Sequence, residues 1–298
     1  MMTADRANVV HEPLAGPVTL SGKSAKTENF PVASILIAPA LRPHVMCFYE
    51  FARTIDDIAD DPVLSSAEKI TQLNAFEAVV TGASPPSPGL EKAAALRRSL
   101  ADTGVSVTLA CDLAAAFRQD AVKSRYASLD ELMGYCALSA DPVGRYLLAL
   151  HGEDDSAVPA SDALCSALQI INHLQDCGDD YRTMDRVYLP SDWMAAAGAQ
   201  AQDLGHNQLT PGLRRTLDQA VDHCAALLAQ ADTLAPAIRS RRLSAEAAVI
   251  TQLAHRLVQR LRTEDPLAAR VALSKWDIAT AATKGVLGSL FSRKRLVH

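Results

Sequence analysis

Gln169-Ile170-Ile171-Asn172-His173-Leu174-Gln175-Asp176-Cys177-Gly178-Asp179-Asp180 is the stretch on which the rest of the chain turns. At about 100° per residue, Gln169, Asn172, His173, Asp176, Asp179 and Asp180 fall within about a 120° arc of one helix, and Ile170, Ile171 and Leu174 cover the other side. A solvated helix face normally carries Lys, Arg or Glu. This one carries amides and aspartates, side chains that ligate metal directly or through water. The apolar side needs other helices to cover it, and the Ala- and Leu-rich, aromatic-poor composition supplies them, so the fold class expected is all-α.

A second acidic stretch lies upstream, Asp56-Asp57-Ile58-Ala59-Asp60-Asp61. Pro43 opens its helix as a first-turn proline, Val45, Phe48, Ala52, Ile55 and Ala59 form the apolar stripe, and Pro62 ends it. Tyr49, Arg53, Asp56 and Asp60 border the stripe, and Asp57 and Asp61 continue the arc outward. A solvated helix end is the bland reading. It is disfavoured because acids at a C-terminus oppose the macrodipole, and because no Lys occurs between residues 27 and 68.

Antiparallel pairing of these two helices would gather seven carboxylates around one cavity mouth, where they repel one another unless cations lie between them. Oxygen ligands without Cys or His suit Mg²⁺, which bridges carboxylates to phosphate oxygens. Arg53, Arg182, Arg186, Lys123, Arg125, Tyr126 and the segment Tyr135–Arg145 supply cations and phenols able to stabilise a departing diphosphate. His173 reads equally as a core hydrogen-bonding residue. The chain has no GxGxxG, P-loop, nucleophile elbow or ExxH motif, and its net charge of −5 leaves no footprint for nucleic acid.

Helices are expected over 43–61, 66–81, 90–101, 106–122, 128–151 with a kink at Pro142, 161–180, 211–235 and 243–262, with 181–210 irregular and 265–298 helical in part. The Pro-rich segment 84–89 is a linker too near the N-terminus to divide two domains. The expected organisation is a disordered segment 1–27, one helical domain 28–277 and a basic amphipathic tail 278–298. The six scattered cysteines read as reduced thiols, and neither a signal peptide nor a membrane span is evident, so a cytoplasmic protein is expected. In the tail, Val286, Leu287, Leu290 and Phe291 precede Arg293-Lys294-Arg295, the pattern of an interfacial helix in peripheral contact with a membrane.

Taken together, Phe48–Asp61, Tyr135–Gly144, Gln169–Asp180 and Arg186-Val187-Tyr188-Leu189-Pro190 resemble the motifs of the squalene/phytoene synthase family over about Asn29 to Arg270. That resemblance implies an isoprenoid-synthase helical bundle with a central apolar cavity. It implies magnesium-diphosphate roles for Asp56, Asp57, Asp60, Asp176 and Asp180. Arg53, Tyr135, Gln169 and Asn172 would line the substrate and diphosphate site, with Phe48, Tyr49 and Arg186 beside them. Glu28–Ser34 resembles the opening of the bacterial hydroxysqualene synthase branch, and Gln175 stands where condensing members carry an arginine, which changes the charge beside the diphosphate. Asp185 occupies a position that is glycine in most members. The branch implies Mg²⁺-dependent conversion of presqualene diphosphate to hydroxysqualene, coupled to other squalene-pathway enzymes. The alternatives are a condensing member making presqualene or phytoene diphosphate, and a non-catalytic relative acting as an assembly factor.

Overall fold

A computed structural model describes residues 37–281 and 283; the expected disordered segment, the Glu28–Ser34 opening and most of the tail lie outside them. The chain forms α1 (Arg42–Asp60), α2 (Ser66–Thr81), α3 (Glu91–Thr103), α4 (Thr108–Asp120), α5 (Leu129–Ser139), α6 (Asp141–Leu150), α7 (Val158–Met184), α8 (Ser191–Ala196), α9 (Pro211–Ala231), α10 (Leu234–Ala237) and α11 (Arg241–Leu261). Residues 275–281 are also helical. Among the described residues there is no strand, only an isolated bridge between Arg125 and Val187, and no helix long and apolar enough to cross a membrane.

Local chemistry accounts for most boundaries. Pro43 sits in the first turn of α1, and Asp61, which precedes Pro62, leaves the helix for extended backbone. Ser65 caps α2 through a reciprocal pair with Glu68. The expected helix 128–151 is two helices. Ala140 breaks it, and Pro142 starts α6 rather than kinking a continuous rod, because its missing N–H costs nothing in a first turn. Gly144 serves close approach: a Cβ there would lie 2.3 Å from Ser161 Oγ and 2.7 Å from Cys165 Sγ, so α6 and α7 pack backbone to side chain. Arg145 clamps the same pair of helices through Asp162, at 2.9 and 2.7 Å. The 27-residue α7 outruns its expected limits at both ends.

Two apolar cores result, one among α1–α4 and one among α5, α7, α9 and α11. Helix α6 joins them, its Tyr146 stacked on Phe48 at 4.0 Å and donating to the His44 carbonyl at 2.9 Å. The expected antiparallel pairing of the two acidic helices does not form. α1 packs on α2, α3 and α4, whereas α7 packs on α5, α6, α9 and α11. Both line one cavity with their first halves, and Arg186, just past the end of α7, reaches Asp60 at the end of α1. The two helices therefore run in the same sense, and both negative macrodipole ends converge on one mouth, which favours cations there.

Candidate functional site

A cavity of about 290 Å³ lies between the first halves of α1 and α7, with α6, α10 and α11 closing the sides. Its walls are almost wholly apolar and include Val45, Phe48, Tyr49 and Ala52 of α1, Leu147 of α6, Leu164 and Leu168 of α7, and Ile250 of α11. Phe48 and Tyr49, expected beside the substrate, are among them. Continuing along both helices past this cavity leads to the polar rows: Arg53, Asp56 and Asp60 on α1, and Gln169, Asn172, Asp176 and Asp180 on α7, where the latter four are half-buried.

On the α1 side the carboxylates are already committed. Arg53 donates to Asp56 Oδ2 at 2.9 Å and to Asp57. Arg186, itself buried, donates to Asp60 Oδ1 at 2.9 Å. Asp57 was expected on the outward arc, yet its side chain is 3% exposed. The three helices that wrap α1 bury more of its circumference than one stripe, so Asp57 turns inward and holds Arg53. Its Oδ2 is buried with no hydrogen-bond partner among the described residues. Asp56 retains 31% side-chain exposure but is hemmed in by protein; burial first, then the neighbouring Asp60, holds its carboxyl well above the ordinary range against the pull of Arg53.

Behind this row lies a residue that sequence reasoning missed. Asp120, 7% exposed, ends α4 and accepts from Tyr135 at 2.7 Å and from Tyr188 at 3.4 Å. Arg186 donates to its backbone carbonyl at 3.3 Å. Burial pushes Asp120 up to about 6, opposed by Arg186 and the Tyr135 hydroxyl. Burial and Asp120 together raise both phenols well above their usual range, so Tyr135 and Tyr188 stay protonated donors. The available signal was an acid on the apolar stripe of α4, in register with Leu113 and Ala116. Tyr126 packs on both rings, and His173 stacks on Tyr188 at 3.4 Å. Burial, with Arg186 adding to it, lowers His173 to about 3, so this imidazole is neutral and belongs to the aromatic stack.

Arg186 is aimed by a turn that needs a left-handed residue. Asp185 adopts φ 50°, a conformation that Asp tolerates better than most side chains, and Arg125 pairs with its carboxylate. The other basic residues are spent nearby: Lys123 on Glu131, Arg182 on Asp179.

On the α7 side the arginine partners are the more exposed ones. Asp179 is 74% exposed, and Asp176 meets Arg270 Nη2 at 3.2 Å. Gln175 does not stand beside this cluster. It is 3% exposed and donates to the Val271 carbonyl, because a helix turns adjacent residues about 100° apart. The expected change of charge beside the acids at this position is therefore not seen: Gln175 points away from them, and Arg270 meets Asp176.

Among the described residues no three acids, histidines or cysteines stand close enough to hold a metal by themselves. The donor set nevertheless fits hard cations: all oxygen, converging from two helices, with Asp56 raised by burial and then by the neighbouring Asp60. Such a set would suit Mg²⁺, which is bound through only one or two protein carboxylates.

An all-α cavity with an acid mouth defines a class, and comparison with known proteins gives the family. The squalene/phytoene synthase profile matches residues 24–277. The chain is 46% identical to the hydroxysqualene synthase of Rhodopseudomonas palustris over 262 residues, 88% of this chain and 89% of that protein. It is 44% identical to the hydroxysqualene synthase of Zymomonas mobilis over 92% of each chain. The solved squalene synthase HpnC from Alicyclobacillus acidocaldarius superposes with a TM-score of 0.68 at 28% identity, covering 78% of this chain and 86% of that one. The chain belongs to the squalene/phytoene synthase family and is an enzyme of it, similar to hydroxysqualene synthases over most of its length.

Proposed function

We propose that this enzyme ionises presqualene diphosphate at the acid mouth and lets water capture the resulting cation, releasing hydroxysqualene and inorganic diphosphate. The observation that carries the reading is an apolar cavity whose α1 and α7 walls run on, one to two turns further, into two rows of aspartate. That is the arrangement needed to bury C30 chains while the charged head stays at the rim. The identity to hydroxysqualene synthases across most of the chain supports the choice of product.

Asp56 and Asp60 from α1 and Asp176 and Asp180 from α7 would hold Mg²⁺, with Asp57 withdrawn to anchor Arg53. When bound, Mg²⁺ supplies charge neutralisation to the leaving diphosphate. Arg53, Arg186 and Arg270 add fixed positive charge at the same rim, and Tyr135 remains a neutral donor beside it. The carbon–oxygen bond breaks with both electrons passing to the diphosphate. Water then forms the new carbon–oxygen bond and loses its proton to the released diphosphate. Phe48, Tyr49, Leu164 and Leu168 keep bulk water from the chains until that step.

Purified enzyme, synthetic presqualene diphosphate and Mg²⁺ in H₂¹⁸O test this. The label should appear in the alcohol without any nicotinamide cofactor, and EDTA should abolish turnover. Efficient formation of presqualene diphosphate from farnesyl diphosphate alone would replace the reading with a condensing one. The basic tail 278–298 would provide peripheral membrane contact for so apolar a product.

A further inference from the structure

After α11 the chain crosses the last turns of α7 as an irregular strap, residues 262–274, and is pinned to it from beneath. Gln175 donates to the Val271 carbonyl, and Val271 is 0% exposed. Leu267 seats on Gly178, where a Cβ would come within 2.7 Å of Leu267 Cδ2, so any larger residue would displace the Leu267 side chain. Farther along, Asp277 is gripped by Arg256 at 2.7 Å and by Arg260 at 3.2 Å, and accepts from the Ser274 amide at 2.9 Å. Between these pins stands Arg270, 49% exposed, its guanidinium 3.2 Å from Asp176. Val271 is held down while Arg270, the residue before it, stands up over the acids.

We propose that Gln175 is a positioning residue for Arg270: its amide fixes the strap so that the guanidinium stays over the second acid row, where an arriving diphosphate takes it over from Asp176. Val271 has a buried carbonyl that loses this donor if Gln175 is replaced by an apolar side chain. The strap has no regular secondary structure to hold its shape instead. The same helix thus serves the mouth twice, through Asp176 directly and through Gln175 by way of the strap. The proposal rests on the reading above only in that diphosphate lands at this mouth.

Calorimetric titration of the full chain with inorganic diphosphate at saturating Mg²⁺ reads this without turnover. Arg270→Ala and Gln175→Leu should each weaken binding about tenfold, and the double variant should bind no more weakly than Arg270→Ala alone, since both remove one interaction. Backbone amides of 267–274 should exchange faster in Gln175→Leu. Gln175→Asn keeps an amide in the packed site but falls one methylene short, and an intermediate loss is expected; it takes the place of the leucine variant if that one does not fold. Unchanged affinity in a folded Gln175 variant, or losses that add in the double variant, overturns the proposal. Absence of binding by the wild type would instead sink the diphosphate reading beneath it.

Discussion

The two acid rows are alike in sequence and opposite in condition. On α1, Asp56, Asp57 and Asp60 already hold Arg53 and Arg186, and Asp57 is buried. On α7, Asp179 pairs with Arg182 and Asp176 with Arg270, and both arginines are half-exposed. The α1 row is thus woven into the fold through largely buried arginines and the Asp120–Tyr135–Tyr188 network behind it, whereas the α7 row is paired with arginines that stand half in solvent. A shared motif therefore does not imply a shared energetic role: removing charge should threaten folding on one side and chiefly binding on the other.

The largest expected effect would erase that distinction in catalysis. Asp60→Asn and Asp176→Asn should each cut turnover by about 10²–10³-fold or more, as expected when a preorganised charge at the leaving group is lost. Near-wild-type rates in either variant would show that only one row serves the reaction.

Stability should then separate the rows. Arg186→Met leaves Asp60 and buried Asp120 without their cation and should cost about 3–5 kcal/mol in urea unfolding. Arg270→Met at the α7 row should cost less than about 1 kcal/mol. Comparable losses would mean that the strap is as deeply woven into the fold as the α1 row. Tyr135→Phe, which removes one buried hydrogen bond to Asp120, should fall between them at about 1–3 kcal/mol.

Protons sharpen the contrast further. Asp56 has its carboxyl raised above the unfolded value, so the folded metal-free protein binds the proton more tightly than the unfolded chain. Its contribution to stability is present below about pH 4 and is lost as pH rises toward about pH 8. Asp56→Asn should therefore raise the metal-free melting temperature at about pH 8 and leave it nearly unchanged at about pH 4, a difference that added Mg²⁺ with diphosphate should shrink. The smallest effect concerns neither row: deleting 285–298 should weaken co-sedimentation with anionic vesicles at low salt, where each basic residue is worth about 1 kcal/mol.

The sequence by itself determined the helices and their faces. The 3.6-residue period of α1 and α7, Pro43 and Pro62 at the limits of one of them, and the amide–aspartate arc of the other are local properties, written within a few turns of chain. They sufficed for the all-α class, for the acids and for the family. Tertiary structure decided what no period encodes. It set the parallel sense of the two acidic helices and the inward turn of Asp57 under three wrapping helices. It carried Arg186 to Asp60 across 126 residues, buried Asp120 behind the phenols, and turned Gln175 from the mouth to a strap 96 residues away. A helix fixes angles about its own axis, but only packing against the rest of the chain decides which angle faces water, which a neighbour and which the substrate.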